Sequence, residues 1–162
     1  CGHSADLSGP VADRAIFHTD NAYYLPALQI ESWRCRTDTQ SHTAFRGFGG
    51  PQGVLLIETL QGDIARHLGM DALDVRLANL YGVGERDTTP YGMKVEDNIL
   101  LPLMRQLEQD SRYRERRQEI TRFNARQGVL RKGLALTPVC QVIHRSSSPS
   151  PATPSKAPPP PT

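Results

Sequence analysis

Cysteine is scarce in this 162-residue chain, and the three present, Cys1, Cys35 and Cys140, form no CxxC pair. An odd, widely spaced set excludes a disulfide framework and fits a reducing compartment. Charge of one sign is also missing: 19 basic residues against 17 acidic give a net charge of +2. That balance argues against a nucleic-acid partner or a membrane surface. Long apolar runs are absent too. The longest, near Val54–Ile57, is far too short to span a bilayer, and no signal peptide is visible. The five histidines, at 3, 18, 42, 67 and 144, never pair with another His or Cys at ligand spacing. No metal site built from side chains is therefore expected. The length suffices for one modest domain.

Glycine, by contrast, is concentrated where it matters. In Thr43-Ala44-Phe45-Arg46-Gly47-Phe48-Gly49-Gly50-Pro51-Gln52, three glycines fall within four positions. Glycine admits positive φ and lets a ligand approach bare N–H groups. Pro51 suits the first turn of a helix, whose positive end would face whatever the loop holds. Phe48, flanked by glycines, is open to stack on a planar group. The segment reads as a cradle for a flat, electron-rich or anionic group. A plain turn with a core Phe is the bland alternative. A single RGG-like RNA contact is a second one, disfavoured because such contacts work as repeats.

The remaining pattern suggests an α+β chain: strands first, then about four helices and a returning strand. Ala15–His18 and Tyr23–Trp33 are β-branched and aromatic, with Asp20-Asn21 and Pro26 as breaks. A helix is predicted from Pro51 to about His67, with Ile57, Leu60, Ile64 and Leu68 as its stripe and Gly69 closing it. Gly62 inside it suggests close packing on a neighbour. Asp71 caps a second helix with Leu73, Leu77 and Leu80 apolar, ended by Gly82. Asp97 or Asn98 caps a third, with Ile99, Leu103 and Leu107 inward. Ser111 starts a fourth, burying Tyr113, Ile120 and Phe123. Its other face carries Arg112, Arg114, Arg116, Arg117, Arg122 and Arg126 among Glu115 and Glu119. This is read as a solvated face with helical ion pairs, a phosphate-binding surface being the alternative. Val129 to Val139 forms the returning strand. Seven of the 13 prolines lie between Pro149 and Pro161, so residues 146–162 are expected to be disordered or PPII-like.

The Thr43–Gln52 segment resembles the molybdenum-binding large subunit of the xanthine dehydrogenase family, within the wider xanthine oxidase and aldehyde oxidase family. Three further segments carry the same likeness in order: Asp13-Arg14-Ala15-Ile16-Phe17-His18-Thr19-Asp20-Asn21-Ala22-Tyr23-Tyr24, Tyr91-Gly92-Met93-Lys94-Val95-Glu96-Asp97-Asn98, and Arg131-Lys132-Gly133-Leu134-Ala135-Leu136-Thr137-Pro138. The resemblance covers residues 1–139 and implies part of a molybdopterin-binding domain there. Residues 140–162 form a divergent Ser/Pro-rich tail.

The resemblance implies a pterin-held molybdenum that hydroxylates an electron-poor carbon of hypoxanthine or xanthine. Electrons then leave through 2Fe-2S clusters and FAD to NAD. It implies an iron–sulfur/FAD subunit or domain as partner, an oligomer of heterodimers, and a cytoplasmic location. By the same resemblance Arg14 and Phe48 would bind substrate, Arg46 would offer its backbone amide to a molybdenum ligand, and Gly47, Gly49 and Gly50 would form the cofactor loop. The competing reading of Arg14 is a surface salt bridge with Asp13 or Asp20. Arginine at position 14 favours a purine over an aldehyde substrate. The family's other cofactor loop and its catalytic glutamate have no match in this chain. The expectation is an internal fragment without catalytic residues of its own, inactive alone. The rival expectations are an aldehyde oxidase-like hydroxylase, a non-catalytic module using the Arg-rich helix and Pro-rich tail, and a degraded gene product.

Overall fold

The structure, a computed structural model, describes residues 2–126 and 128–140. The expected disordered tail lies outside these residues. Five helices follow one another: α1 Ser8–Phe17, α2 Gly50–Leu68, α3 Ala72–Asn79, α4 Leu100–Asp110 and α5 Tyr113–Ala125. Among the described residues, β pairing is limited to three isolated bridges, Gly2–Cys35, Tyr23–Leu80 and Thr88–Lys94.

The α+β expectation is thereby corrected at three places. Ala15–His18 is the end of α1 and not a strand. Val11, Ala12, Ala15 and Ile16 recur at helical spacing, and Pro10 sits in the first turn, where its missing N–H is no loss. The Thr19 hydroxyl closes the far end on the Ala15 carbonyl at 2.8 Å. Among the described residues, Tyr23–Trp33 and Val129–Val139 form no strand and, apart from the isolated Tyr23–Leu80 bridge, have no pairing neighbour, and a strand exists only through its neighbour's hydrogen bonds.

Helix α2 starts at Gly50 and ends on Gly69 in the left-handed conformation (φ 65°), as its sequence predicts. Its buried row is Gly53, Ile57, Gln61 and Ala65, one turn apart each time. Leu60 and Leu68, expected inward, face outward at 49% and 58% exposure. Small residues decide this. A Cβ on Gly53 would overlap the Ala15 carbonyl oxygen, and one on Gly49 the Val11 carbonyl oxygen. Helix α1 therefore packs backbone-close on α2, and only the glycine-bearing face permits that approach. Gly62 does not have this role: the nearest atom to a Cβ there is the far end of Arg66, 3.9 Å away.

Asp71 caps α3, its side chain accepting from the Leu73 amide at 2.8 Å. The helix ends at Asn79, before Gly82, because Leu80 turns to bridge Tyr23. Asn98 accepts from the Leu100 amide at 3.0 Å and donates to the Tyr81 and Gly82 carbonyls, which fixes the start of α4. Met104 is the buried residue of α4; Ile99, Leu103 and Leu107 are exposed, contrary to expectation. Arg112 (φ 51°) breaks the chain between α4 and α5. The core joins Ala22, Tyr23, Ile57, Leu73, Leu80, Met104, Tyr113 and Leu136.

The arginine-rich face of α5 is more than solvated. Arg114 binds Asp74 at 2.6 Å and Glu108 at 2.5 Å, and Arg117 reaches Asp71 at 3.1 Å. Asp71 also accepts from the Tyr113 hydroxyl at 3.0 Å. Burial alone pushes the Asp71 carboxyl up, but the Leu73 amide, Tyr113 hydroxyl and Arg117 guanidinium outweigh it and hold it below the usual carboxylate value. Burial and Asp71 push the Tyr113 hydroxyl up to about 12.

Two outcomes are expected. Gly53→Val lowers stability by about 1–3 kcal/mol through overpacking, whereas Gly62→Ala raises it by about 0.5–1 kcal/mol; urea midpoints measure both. A carboxyl held low stabilises fully above its unfolded pKa, and that contribution fades as pH falls through the folded value. Asp71→Asn should accordingly flatten the acid side of the stability–pH profile, leaving a profile lower near neutrality but less steep in acid.

Candidate functional site

The glycine loop precedes α2 as a run of three left-handed residues: Gly47 (φ 89°), Phe48 (φ 48°) and Gly49 (φ 99°). A bulky side chain at positive φ is strained and persists only where its surroundings hold it. Two short turns do so here, Phe48 N–H to the Phe45 carbonyl at 2.8 Å and Gly50 N–H to the Gly47 carbonyl at 3.0 Å. The loop delivers the N-terminal end of α2 to the rim of a cavity of about 450 Å³.

Three elements wall that cavity. Arg14 and His18, one turn apart, come from α1. Gly47, Gly50, Pro51, Val54, Leu55 and Glu58 come from the loop and α2, and Thr137, Val139 and Cys140 from the C-terminal segment. The walls are mostly apolar, with a guanidinium, an imidazole and a carboxylate among them, the usual make-up of a small-molecule site.

Of the residues picked from sequence, Arg14, Gly47 and Gly50 meet at this cavity. Arg14 is exposed, and its expected salt-bridge partners are engaged elsewhere. Asp13 pairs with Arg34 at 3.4 Å, and Asp20 accepts from the Tyr81 hydroxyl at 2.6 Å. Gly49 is buried under α1, where its role is the helix contact. Phe48 is half-buried and Arg46 exposed; neither side chain lines the cavity.

Sequence reasoning missed His18, Glu58 and the whole C-terminal wall. The first two carried a signal, the i, i+4 spacings Arg14/His18 and Gly50/Val54/Glu58 on their helices. Thr137, Val139 and Cys140 carried none, since they arrive by tertiary contact.

Glu58 anchors the site. Its Oε1 accepts from the Asn21 amide at 3.1 Å and from the Tyr23 hydroxyl, and its Oε2 from Arg76 Nε at 2.7 Å. The side chains of Arg76 and Glu58 are 6% and 12% exposed, so the pair is buried. Burial, then the Glu58 hydrogen bond, pushes the Tyr23 hydroxyl well above its ordinary value and keeps it a donor. Asp20 is raised by burial, an effect that the Tyr81 hydroxyl offsets in part. The Cys140 thiol is pushed up by burial and then by Asp20. It faces the cavity as a neutral group.

Among the described residues, no three His, Cys, Asp or Glu side chains converge on a possible metal position. The chemistry available is of another kind: backbone without side chains at Gly47 and Gly50, the Arg14 guanidinium and an apolar slot. This is the equipment of a pocket for an organic cofactor or flat ring.

Comparison with known proteins shows what the chain is similar to. Residues 1–80 match the molybdopterin cofactor-binding domain. It is 43% identical over 140 residues to a xanthine dehydrogenase of Drosophila subobscura and 39% identical over 137 residues to a xanthine dehydrogenase/oxidase of Gallus gallus. It is 38% identical over 138 residues to a nicotinate hydroxylase of Emericella nidulans. Each match takes in 85% of this chain and 10% of the relative, so the chain spans about a tenth of the length of these relatives. The residues at the cavity fit the cofactor: Gly47 and Gly50 present backbone without a side chain, and both oxygens of Glu58, the one carboxylate in the wall, are already engaged by donors.

The buried pair yields a test by substitution. Arg76→Met, which strands the Glu58 charge, should cost about 3–5 kcal/mol. Adding Glu58→Gln should recover part of that loss, because the neutral amide still offers an oxygen to Asn21 and Tyr23. Urea unfolding of both variants gives the comparison.

Proposed function

We propose that this chain forms the substrate-facing part of a molybdenum hydroxylase acting on a purine such as hypoxanthine or xanthine. The observation that carries the reading is Arg14: an exposed guanidinium beside the glycine loop, its candidate carboxylates taken by Arg34 and Tyr81. When bound, the cofactor supplies hydroxylation of an electron-poor ring carbon and accepts two electrons. The chain's own residues do the positioning. Attack on a purine puts negative charge on the ring, and a fixed cation at its far edge stabilises the transition state more than the ground state. Val54, Leu55 and Val139 give the slot an apolar lining against which a flat ring can pack.

Phe48 is assigned to stacking on the ring and the Arg46 amide to a molybdenum ligand. Both lie on the loop that leads into the cavity, and Phe48 holds the strained conformation that functional loops often carry. Electron transfer through 2Fe-2S and FAD to NAD, the iron–sulfur/FAD partner, an assembly of heterodimers and a cytoplasmic location belong to the same proposal. No helix among the described residues is long and apolar enough to cross a membrane. On this reading the chain alone is inactive, because none of its own residues is assigned as the general base. A second reading is favoured by the nicotinate hydroxylase likeness: a pyridine carboxylate, whose anionic group Arg14 would hold directly. An aldehyde oxidase-like activity is a third.

In the assembled enzyme, Arg14→Met should spare molybdenum content and cut purine turnover by roughly 10²–10³, with a much smaller loss on small aromatic aldehydes. Parallel assays with hypoxanthine, nicotinate and an aldehyde separate the three readings. Equal losses on all substrates, or loss of molybdenum, would return Arg14 to a structural role. Phe48→Ala should weaken all ring substrates alike, by about 0.5–1.5 kcal/mol beyond lost area.

A further inference from the structure

We propose that Asn21 is a positioning residue of the site, which fixes residues 137–140 as the third wall of the cavity. Residues 128–140 contain no helix or strand. Among the described residues, backbone–backbone hydrogen bonds to residues 134–140 are absent. Asn21 replaces them. Its Nδ2 donates to the Pro138 carbonyl at 2.9 Å, and its Oδ1 accepts from the Cys140 amide at 2.9 Å.

The carbonyl of 138 and the amide of 140 flank Val139. They are the two groups that one residue of a neighbouring parallel strand would bind through its own N–H and C=O. A primary amide carries the matching donor and acceptor on one carbon, so the Asn21 side chain acts as a one-residue strand. The second hydrogen of Nδ2 goes to Glu58 Oε1 at 3.1 Å, which sets the rotation of the amide and assigns its nitrogen and oxygen. Asn21 is 4% exposed and its backbone sits at φ 47°, a conformation that asparagine tolerates far better than most residues. No other side chain meets all of these demands. Aspartate lacks the donor and would set a second carboxylate against Glu58. Leucine lacks both polar groups.

The consequence lies in Thr137, Val139 and Cys140, which line the cavity together with Gly47 and Gly50 of the glycine loop. Through two bonds Asn21 sets the width of the slot, and through Glu58 it ties that width to α2. The functional consequence rests on the proposed reading of the cavity. The clamp itself is testable without cofactor, so the two can fail separately.

Cys140 is the reporter. In the unloaded chain, alkylation of Cys140 by a maleimide is followed by peptide mass spectrometry, with the exposed Cys35 as internal reference. Asn21→Gly, which keeps the backbone conformation available, should raise the Cys140/Cys35 rate ratio by about tenfold or more, as expected for a local opening. Asn21→Asp should give an intermediate rise, because Oδ1 remains for the Cys140 amide. The far-ultraviolet circular dichroism of the helices should stay unchanged. An unchanged ratio in both variants would overturn the proposal, as would a rise that only tracks loss of global stability in urea. If the variants do not fold, hydrogen exchange of the unsubstituted chain decides. A slowly exchanging Cys140 amide upholds the clamp, and a freely exchanging one defeats it.

Discussion

A single carboxylate organises this chain. Glu58 accepts from an amide, a phenol and a guanidinium, and these belong to the loop after α1 and to α3. A buried carboxylate is costly unless its lone pairs are filled, and here a charge partner and two neutral donors fill them. The arrangement sets which face of α2 is inward. Glu58 lies next to Ile57, and the inward row of Gly53, Ile57, Gln61 and Ala65 follows. The leucines are left outside, although hydrophobicity alone would have chosen them. Breaking this node would release the loop and the α3 packing together, because both donate to Glu58, and would reach the C-terminal wall through Asn21.

The glycine loop and this node both contribute to the cavity. The loop's three left-handed residues lead the chain into α2, where Gly50 lines the cavity without a side chain. Gly49 and Gly53 then let α1 settle against α2 closely enough to bring Arg14 and His18 to the rim. Glycine thus acts twice over a short stretch, once for conformation and once for contact. The arginine-rich helix α5 stays out of the site. Its guanidinium groups are used to hold α3 and α4, through Asp71, Asp74 and Glu108.

What could be read from sequence was local. The start of α2 at the glycine–proline step, its end at Gly69 and the Asp71 cap are written in adjacent residues and appear where expected. Of the glycine loop, Gly47 and Gly50 line a cavity together with Arg14, while Phe48 and Arg46 do not. The misreadings share one cause. The strand-like composition of Tyr23–Trp33 and Val129–Val139 needs partners to become strands, and among the described residues none pair with them beyond an isolated bridge. The inward faces of α2 and α4 were misjudged because leucine was weighted above glycine, glutamine and methionine. The close approach of α1 and the demands of Glu58 decide the face of α2, and neither is visible in a helical wheel. His18 and Glu58 were within reach of a spacing argument; the wall at 137–140 was not, since its place depends on an asparagine far away in the chain.

That distance has a kinetic meaning. The two bonds from Asn21 join residues 117 and 119 positions apart. Helices α1 to α5 and their mutual contacts can form from shorter stretches, but the wall has to be closed by one of the longest loops in the chain, at the corresponding entropic cost. Loop closure therefore favours the helical body over the wall as the part that forms early. In a polypeptide emerging from the ribosome, the two bonds that hold the wall cannot form until residue 140 is free to reach Asn21.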